Sequence, residues 1–278
     1  NALIAGTFRV EVEQGQRIEV VGVGHYPDAV ELPSHHRWLI NELPIEDYVA
    51  GVAEMPASWP LEALKAQAVA VRTYAWYVQQ TQSYQGFDIC ATVACQVYRG
   101  TFSDEDEGDR WRHAVAATAG EVLTTSDGRP LLARYFSTSG GRTYANEEVF
   151  PSTGAREYLV SIDDPFDEVS PFHRWQVRFT RDDFNMLAAR GERLAAAVPI
   201  ADIERLGPID DPSAMIRVEG SDGAEVEVSA ADLRDFLSRV AAEHLPERYP
   251  PLRADGRGRL PSTVPTARYD IGFDEDEV

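Results

Sequence analysis

The sequence contains a single lysine, Lys65, among its 26 basic residues, and it has no long uninterrupted apolar run. A membrane-spanning helix needs about 18–20 consecutive apolar residues, so no transmembrane segment is expected in this chain. The 46 acidic residues outnumber the basic ones and give a formal net charge of −20. Nucleic-acid binding requires clustered Lys and Arg to neutralise phosphates, so this class of partner is not expected.

Cysteine is also scarce, because Cys90 and Cys95 are the only two in the chain. In an exported protein they could close a small disulfide loop, whereas in a reducing compartment they would be buried thiols or half of a metal site. A closed zinc site needs four ligands, and the nearest histidine, His113, falls on a separate short helix predicted at Arg110–Thr118. A disulfide is therefore favoured over zinc.

The chain of 278 residues has an ordinary globular composition, with 44% apolar and 26% charged residues. This length allows one large hydrophobic core or two modest ones. The chain begins at Asn1 without a methionine and shows no signal peptide, so we interpret it as a processed or truncated fragment.

A long helix is predicted from Leu61 to about Val78, since no Gly or further Pro interrupts this run. Ser58 is the expected cap, and Pro60 suits the first turn. Apolar side chains fall on every face, so the helix is predicted to be buried all round. Unpaired buried polar groups cost about 1–3 kcal/mol, so the polar residues of the helix need partners. They are Lys65, Gln67, Arg72 and Tyr74.

Glu54 stands on the loop directly before this helix. One interpretation makes it a structural ion-pair partner of Lys65 or Arg72. In the other, Met55 and Trp59 exclude water from the carboxyl group, which would raise its pKa and suit it to proton transfer near neutral pH. The residues alone leave both interpretations open.

Alternating runs between Thr7 and Val23, with a Gln-Gly turn, and from Arg37 to Leu43 predict a small N-terminal β unit. Together with the helix they predict an α+β fold, in which the central buried helix packs against small antiparallel β units with a groove between them. Later elements follow from β patterning, turn signals and cap residues. They are a strand Trp175–Thr180, a helix Arg181–Ala189, strands Ala214–Glu219 and Ala224–Val228, and a helix Ala230–Glu243.

Three parts of the chain are predicted from composition. Residues 1–36 form an N-terminal β segment, residues 37–244 form the main domain, and residues 245–278 form a tail rich in Pro, Arg and acidic residues. The tail is expected to be disordered alone and to need a protein partner to order it.

The run from Ser137 to Thr143 combines hydroxyl groups and glycines. It could be an ordinary polar loop, or a nest of backbone N–H groups that holds an oxygen-rich ligand such as a sugar or a carboxylate. Because the run lacks the lysine of a phosphate-binding loop, a nucleotide is not expected. The candidate ligand-binding residues are Ser137, Ser139, Gly140, Gly141, Arg142 and Thr143.

Several blocks of sequence occur together in one order: Asn41–Tyr48, Glu54–Pro56, Lys65–Tyr74, Asp88–Tyr98 and Ser137–Thr143. In this order the chain resembles the bacterial stage II sporulation protein D family, also called the SpoIID/LytB domain. The resemblance covers roughly residues 40–240. Separate motifs in order make a more specific signal than any one of them.

The resemblance implies a lytic transglycosylase that cleaves peptidoglycan glycan strands between N-acetylmuramic acid and N-acetylglucosamine. One carboxyl group protonates the glycosidic oxygen and then accepts the proton of the muramyl C6 hydroxyl, whereas ordinary glycosidases use two carboxyl groups. By position, Glu54 would be this general acid/base. The implied substrate-binding residues are Lys65, Gln67, Arg72, Tyr74, Gln96, Tyr98 and the Ser137–Thr143 loop.

The chain departs from the family pattern in two places. Zinc-binding members have a histidine where Ala94 stands, so no metal or other cofactor is expected. A late glycine-rich block that many members carry is also absent from this chain. The alternatives to an enzyme are a non-catalytic glycan-binding or amidase-stimulating wall protein, or a structural envelope component. Each of these implies an extracytoplasmic protein whose export signal has been removed.

Overall fold

The chain divides into two units, residues 1–135 and residues 136–278. The computed structural model describes residues 8–11, 17–20, 24–27, 29–32, 39–82, 86–100, 105–211, 213–253 and 258–273. The three-part division predicted from composition stays a prediction. The α+β fold class is confirmed, because both helices and small antiparallel sheets are present.

The first unit begins with short antiparallel strands, as the alternating pattern predicts. A three-stranded sheet has the order β1-β4-β5, and β2 pairs with β3. The strands are β1 (Phe8–Glu11), β2 (Arg17–Val20), β3 (Gly24–Pro27), β4 (Ala29–Leu32) and β5 (Ile40–Glu42). The predicted Gln-Gly turn at residues 14–15 lies outside the described residues.

Three helices follow in the first unit: α1 (Ile45–Ala50), α2 (Leu61–Thr81) and α3 (Glu105–Ala117). α2 begins at the predicted residue, but the cap position is Pro60 and no side chain caps it, so the expected Ser58 cap is wrong. The helix is also not buried all round, since Glu62 and Ala66 are exposed. Its buried face packs in one cluster with residues of α1 and α3.

Arg72 on α2 is almost completely buried and therefore needs a countercharge. Its guanidinium binds the Glu46 carboxylate of α1 through two hydrogen bonds, Nε to Oε1 at 2.9 Å and Nη2 to Oε2 at 2.6 Å. It also donates to the carbonyl oxygens of Glu121 and Val115, at 3.0 and 3.4 Å. Arg72 thus ties α2 to α1 and to the end of α3.

The second unit combines short helices with a three-stranded antiparallel sheet of order β6-β7-β8. Its strands are β6 (Ile200–Leu206), β7 (Met215–Gly220) and β8 (Glu225–Ser229). Its helices are α4 (Asn146–Val149), α5 (Arg181–Ala188) and α6 (Ala230–His244), with 3₁₀ turns at Pro151–Thr153, Pro165–Val169 and Leu194–Ala197.

Two of the predicted helix starts in this unit are confirmed by their caps. The Thr180 hydroxyl accepts from the Asp183 N–H at 3.1 Å, and the Ser229 hydroxyl accepts from the Asp232 N–H at 3.0 Å. The predicted strand Trp175–Thr180 is not a strand in the structure, because this run has no ladder of backbone hydrogen bonds with a neighbour in the described part of the chain.

The expectation of a disordered tail is wrong for residues 245–253 and 258–273. Tyr249, Val264 and Tyr269 are buried in the same hydrophobic cluster as α5, α6 and the sheet. The Tyr269 hydroxyl also donates to the Ala230 carbonyl at 2.9 Å. Apolar residues spaced among the prolines and arginines therefore join the core of the second unit, which composition averaged over the segment does not reveal.

We expect Glu46→Gln to lower the free energy of unfolding at pH 7 by about 2 kcal/mol, because Arg72 would lose its countercharge. This is less than the roughly 3–5 kcal/mol of a fully buried broken pair, since the Glu46 side chain is 36% exposed. Burial acts to raise the pKa of Glu46, but hydrogen bonds from Arg72 and the Gly120 N–H outweigh it and hold the pKa below 4.5.

A carboxyl group with a lowered folded pKa stabilises the fold above its unfolded pKa, and this contribution is lost as pH falls through the folded pKa. The difference between wild type and Glu46→Gln should therefore shrink below about pH 4 in urea unfolding. The matched control is Glu62→Gln, which removes an exposed ion pair with Lys65 and should change stability by less than about 1 kcal/mol. Equal effects of the two substitutions at pH 7 would contradict this role of Glu46.

Candidate active site

The loop between α1 and α2 is held in place by antiparallel pairing with residues 97–99. Val52 and Tyr98 form an isolated bridge, flanked by backbone hydrogen bonds from Ala53 N to Val97 O at 2.8 Å and from Arg99 N to Gly51 O at 3.0 Å. This pairing places Ala53 opposite Val97, so the side chain of Glu54, the next residue, lies within reach of the Val97 N–H.

Gly51 allows the close approach on which this pairing depends. A Cβ atom at Gly51 would lie 2.3 Å from Cε2 of the Tyr98 ring and 2.6 Å from the Gly100 carbonyl oxygen. Contacts this short do not occur in real structures, so any larger residue would push the 97–99 segment away from the loop that carries Glu54.

Both carboxylate oxygens of Glu54 accept hydrogen bonds from uncharged donors. Oε1 accepts from the Val97 backbone N–H at 2.9 Å, and Oε2 accepts from the Tyr135 hydroxyl. The side chain is half-buried. Each carboxylate oxygen has two lone pairs, so one bond to each leaves capacity for a ligand.

A second row of polar groups holds Tyr135 in place. Gln96 is fully buried, and its amide Nε2 donates to the Tyr135 hydroxyl at 3.0 Å and to the Val71 carbonyl at 3.3 Å. Its Oε1 accepts from the Tyr48 hydroxyl at 2.9 Å. The Tyr48 ring stacks on Tyr98, with ring centroids 5.3 Å apart. Hydrogen bonds therefore run from Tyr48 through Gln96 and Tyr135 to Glu54.

The two tyrosines of this row remain neutral donors over the physiological pH range. Burial, and then the hydrogen bond to Glu54 and its negative charge, raises the pKa of Tyr135 far above 10. Burial and the charge of Glu54 raise the pKa of Tyr48 in the same way. Tyr135 can therefore donate a hydrogen bond to Glu54 but cannot lose its own proton to solvent near neutral pH.

The basic residues of α2 bind carboxylates other than Glu54. Arg72 is paired with Glu46, and Lys65 Nζ lies 2.8 Å from Glu62 Oε1. Among the described residues neither forms an ion pair with Glu54, so the interpretation of Glu54 as their structural partner is wrong. Gln67 has a buried Nε2 that meets no acceptor in the described part of the chain, and Tyr74 is half-buried on α2.

Cys90 and Cys95 form a disulfide with a Cα–Cα distance of 5.5 Å, as favoured from the sequence. The bond closes a short loop directly before Gln96 and Val97, the residues that contact Tyr135 and Glu54. A disulfide leaves no thiolate for a metal, so these two residues do not fit a zinc site. In the described ranges no group of three His, Cys, Asp or Glu side chains could hold a metal ion.

In the second unit, the predicted Ser137–Thr143 loop wraps around a carboxylate of the same chain. Asp167 is buried, and its Oδ1 accepts from the Thr138 hydroxyl at 2.5 Å and the Ser139 N–H at 2.8 Å. Its Oδ2 accepts from the Gly140 N–H at 3.0 Å and from His173 Nδ1 at 2.7 Å. Two backbone N–H groups of this loop therefore bind Asp167 of the same chain, and the predicted binding of an external ligand stays a prediction.

These four hydrogen bonds determine the charge state of Asp167. Burial acts to raise its pKa, but the bonds from Thr138, His173, Ser139 and Gly140 outweigh it and hold the pKa below 3.8. The carboxylate is therefore ionised throughout the physiological range, and it fixes the loop by charge-assisted hydrogen bonds.

The rest of this loop is held by its neighbours and by the C-terminal segment. Gly140 and Gly141 both have positive φ, 68° and 97°, which favours glycine at each position. Arg268 donates to the carbonyl oxygens of Ser139 and Arg142, each at 2.9 Å. Arg142 in turn donates to Ser161 Oγ at 2.8 Å, and Thr143 N–H donates to Ile162 O at 2.9 Å. Ser137 is exposed, as is Arg142.

Four residues of these two sites were not singled out from the sequence: Tyr48, Tyr135, Asp167 and His173. Tyr48 lies six residues before Glu54, and Tyr135 lies two residues before Ser137. A buried tyrosine needs a polar partner for its hydroxyl group. That requirement was the available signal. Asp167 lies 28 residues after Ser139, and nothing local indicated their contact.

The fold and the site define an α+β protein with one half-buried carboxylate held by neutral donors in its first unit. The second unit presents a rigid loop of hydroxyl groups and glycines. No helix in the described ranges is long and apolar enough to cross a membrane.

Residues 34–125 match the family model described as SpoIID, stage II sporulation protein. The chain is 36% identical over 160 residues to stage II sporulation protein D of Bacillus subtilis, covering 52% of this chain and 46% of that protein. It is 41% identical over 138 residues to an uncharacterized protein of Brachyspira hyodysenteriae, covering 46% of this chain and 35% of that one. It is 42% identical over 114 residues to the amidase enhancer of Bacillus subtilis, covering 41% of this chain and 14% of that protein.

The family resemblance expected from the motifs is therefore confirmed over residues 34–125. The chain spans less than half the length of each of these curated relatives. The family match includes Glu54, Gln96 and both cysteines, while Tyr135 and the Ser137–Thr143 loop follow it in sequence.

Replacing Glu54 by Gln should lower the pKa of Tyr135, because a nearby negative charge and a hydrogen-bond acceptor disfavour the phenolate. Tyrosine labelled with ¹³C at Cζ reports this titration by NMR. Tyr269 is the internal control, because burial raises its pKa and the nearby charges are Arg205 and Arg234 rather than Glu54, so its titration should not move. An unchanged Tyr135 titration would contradict the contact with Glu54.

Replacing Asp167 by Asn should destabilise the second unit by about 3 kcal/mol, because an amide cannot satisfy four donors. The amides of Ser139 and Gly140 should then exchange faster with D₂O. Since the folded pKa of Asp167 is lowered, its contribution is present above the unfolded pKa and is lost as pH falls through the folded pKa. The control is Asp163→Asn, whose side chain is 88% exposed. Equal exchange in the two variants would argue against this role.

Proposed function

We propose that the protein acts on the bacterial cell wall as a peptidoglycan lytic transglycosylase, with Glu54 as the single general acid/base. The observation that carries this proposal is the setting of Glu54. It is a half-buried carboxylate with no Lys or Arg partner among the described residues, and both its oxygens are positioned by neutral donors. Such a group can gain and lose a proton without breaking an ion pair.

The proposed reaction uses this one carboxyl group twice. Protonated Glu54 gives its proton to the glycosidic oxygen as the bond from that oxygen to C1 of N-acetylmuramic acid breaks. The Glu54 carboxylate then takes the proton of the muramyl C6 hydroxyl while O6 bonds to C1. The product is a 1,6-anhydro sugar, no water is consumed, and Glu54 returns to its protonated state.

The neighbours of Glu54 support both steps. The Val97 N–H and the Tyr135 hydroxyl stabilise the negative charge that forms after the first proton transfer. Since the pKa of Tyr135 is strongly raised, the phenol remains a donor and does not compete as an acid. Gln96 orients Tyr135 from behind and, being fully buried, acts through it.

Glycan contacts are proposed for the other residues implied by the resemblance. Lys65, Gln67, Tyr74 and Tyr98 lie on α2 or beside it and keep partly exposed surface. In the second unit, exposed Ser137 and Arg142 are the members of the hydroxyl and glycine loop best placed to meet a sugar, because Asp167 takes the N–H groups of Ser139 and Gly140.

An extracytoplasmic location fits the chemistry of the chain. Disulfides persist in oxidising compartments and are rare in reducing ones, and both cysteines are paired. The proposed substrate is outside the cytoplasm as well. We infer that the protein is exported to the cell wall or envelope.

A second candidate is a non-catalytic protein that binds wall glycan and stimulates an amidase. It is favoured by the 42% identity over 114 residues to a protein named as an amidase enhancer. In this case Glu54 and its tyrosines would recognise a sugar hydroxyl without transferring a proton. The affinity for wall glycan would then not depend on whether Glu54 can transfer a proton.

The test is mass analysis of purified peptidoglycan after incubation with wild type and with Glu54→Gln. The wild type should release anhydro-muropeptides, and the variant should lower that release at least 100-fold, because general acid–base catalysis contributes roughly 10²–10⁴-fold. Sedimentation with wall material should remain unchanged for the variant, since Gln keeps the shape of the side chain.

Glu62→Gln is the matched control, because Glu62 is exposed on α2 and contacts only Lys65 among the contacts described. It should release products at the wild-type rate. Release by Glu54→Gln at the wild-type rate would exclude Glu54 as the acid/base. Wall binding by all three proteins without new anhydro ends would favour the non-catalytic candidate.

A further inference from the structure

Two runs of the second unit, residues 175–179 and 269–273, alternate between buried and exposed positions. Trp175, Val177 and Phe179 face the hydrophobic core, while Gln176 and Arg178 between them are exposed. A period of two is that of an extended backbone with one face on the core.

The second run has the same pattern. Tyr269, Ile271 and Phe273 pack on the core, while Asp270 and Gly272 are exposed. Both runs therefore cover the same core as strands do. Neither is a strand in the structure, because no backbone hydrogen bond in the described ranges joins the two runs.

The backbone groups of Trp175, Gln176 and Val177 have no hydrogen-bond partner in the part of the chain that the structure describes. Trp175 and Val177 are partly buried. More than about 90% of buried backbone N–H and C=O groups in native proteins are paired, so an unpaired run is unusual. It has the hydrogen-bonding capacity of an open strand edge.

A cavity of about 590 Å³ lies along these runs and is lined by residues of both. The core residues Leu237 and Val264 also line it, and they are 2% and 4% exposed. The cavity therefore has an apolar floor and extended backbone along its sides, which suits a chain segment better than a compact polar molecule.

Positive charge is concentrated at this cavity. Arg174 and Arg268 line it with one carboxylate, Asp270, in a chain whose net charge is −20. Arg174 is exposed, and no ion pair of it is found among the described residues. A segment that carries acidic side chains would complement this charge.

We propose that this cavity binds an extended, acidic peptide segment of a partner protein, which adds a strand along residues 175–177. Its backbone would pair with the unpaired groups of Trp175, Gln176 and Val177. Its inward side chains would be apolar and would meet Leu237 and Val264. Its outward carboxylates would lie near Arg174. This is strand addition, in which main-chain bonds provide affinity and alternate side chains provide specificity.

The binding test uses three synthetic octapeptides with blocked ends and the full chain. The first alternates Glu and Val, the second alternates Lys and Val, and the third is the Glu peptide with alternate backbone nitrogens methylated. Isothermal titration calorimetry should show the first binding at least tenfold more tightly than the second or the third. Its affinity should fall as salt is raised, because charge contributes.

Hydrogen exchange locates the bound peptide. The amides of residues 175–177 should exchange rapidly in the free chain and should become protected when the Glu peptide binds. Protection of these amides before any peptide is added would mean that the chain itself or a second copy fills the cavity, and the proposal would be wrong.

Arg174→Glu should weaken binding of the Glu peptide at least tenfold and strengthen binding of the Lys peptide. Arg239→Glu is the control, since Arg239 is exposed on α6 of the same unit and the charge change is identical. It should bind both peptides as the wild type does. No binding of the Glu peptide, or equal binding of its methylated form, would overturn the proposal.

Discussion

The short antiparallel pairing of residues 51–53 with residues 97–99 is the constraint on which the candidate active site depends. It places Val97 beside Glu54 and brings Gln96 to Tyr135. Gly51 is required for this approach because a Cβ atom would collide with Tyr98. The disulfide between Cys90 and Cys95 ends directly before the paired segment and limits its freedom. A backbone contact of a few residues thus determines the surroundings of the proposed acid.

Three of the partly or fully buried carboxylates, Glu46, Glu54 and Asp167, have different sets of hydrogen-bond donors. Arg72 binds the Glu46 carboxylate in an ion pair, and four hydrogen-bond donors bind the Asp167 carboxylate. Both have pKa values below the ordinary range, so they serve as fixed negative charges. Glu54 differs because only two donors hold it, one for each carboxylate oxygen, and neither is a Lys or an Arg. Glu54 therefore keeps more lone-pair capacity for a ligand than Asp167 does, and unlike Glu46 it is not bound to an arginine.

Local patterns predicted the elements well where the determinants are local. The start of α2 at Leu61, the caps Thr180 and Ser229, and the disulfide all follow from residues close in sequence. The Ser58 cap failed because Pro60 already stands at the cap position. The strand at residues 175–180 failed because its neighbouring run is not hydrogen-bonded to it, and a strand requires a partner that its own sequence does not supply.

The sequence by itself determined helices α2, α5 and α6 and the family resemblance, and it proposed the candidate acid, because periodicity, caps and ordered motifs are local or linear signals. Only the tertiary structure decided which donors hold each carboxylate. Tyr135 lies 81 residues from Glu54, Glu46 lies 26 from Arg72, and Asp167 lies 28 from Ser139. Such contacts form when packed elements bring distant polar groups into a common buried space, where each group must find a partner to offset its lost hydration.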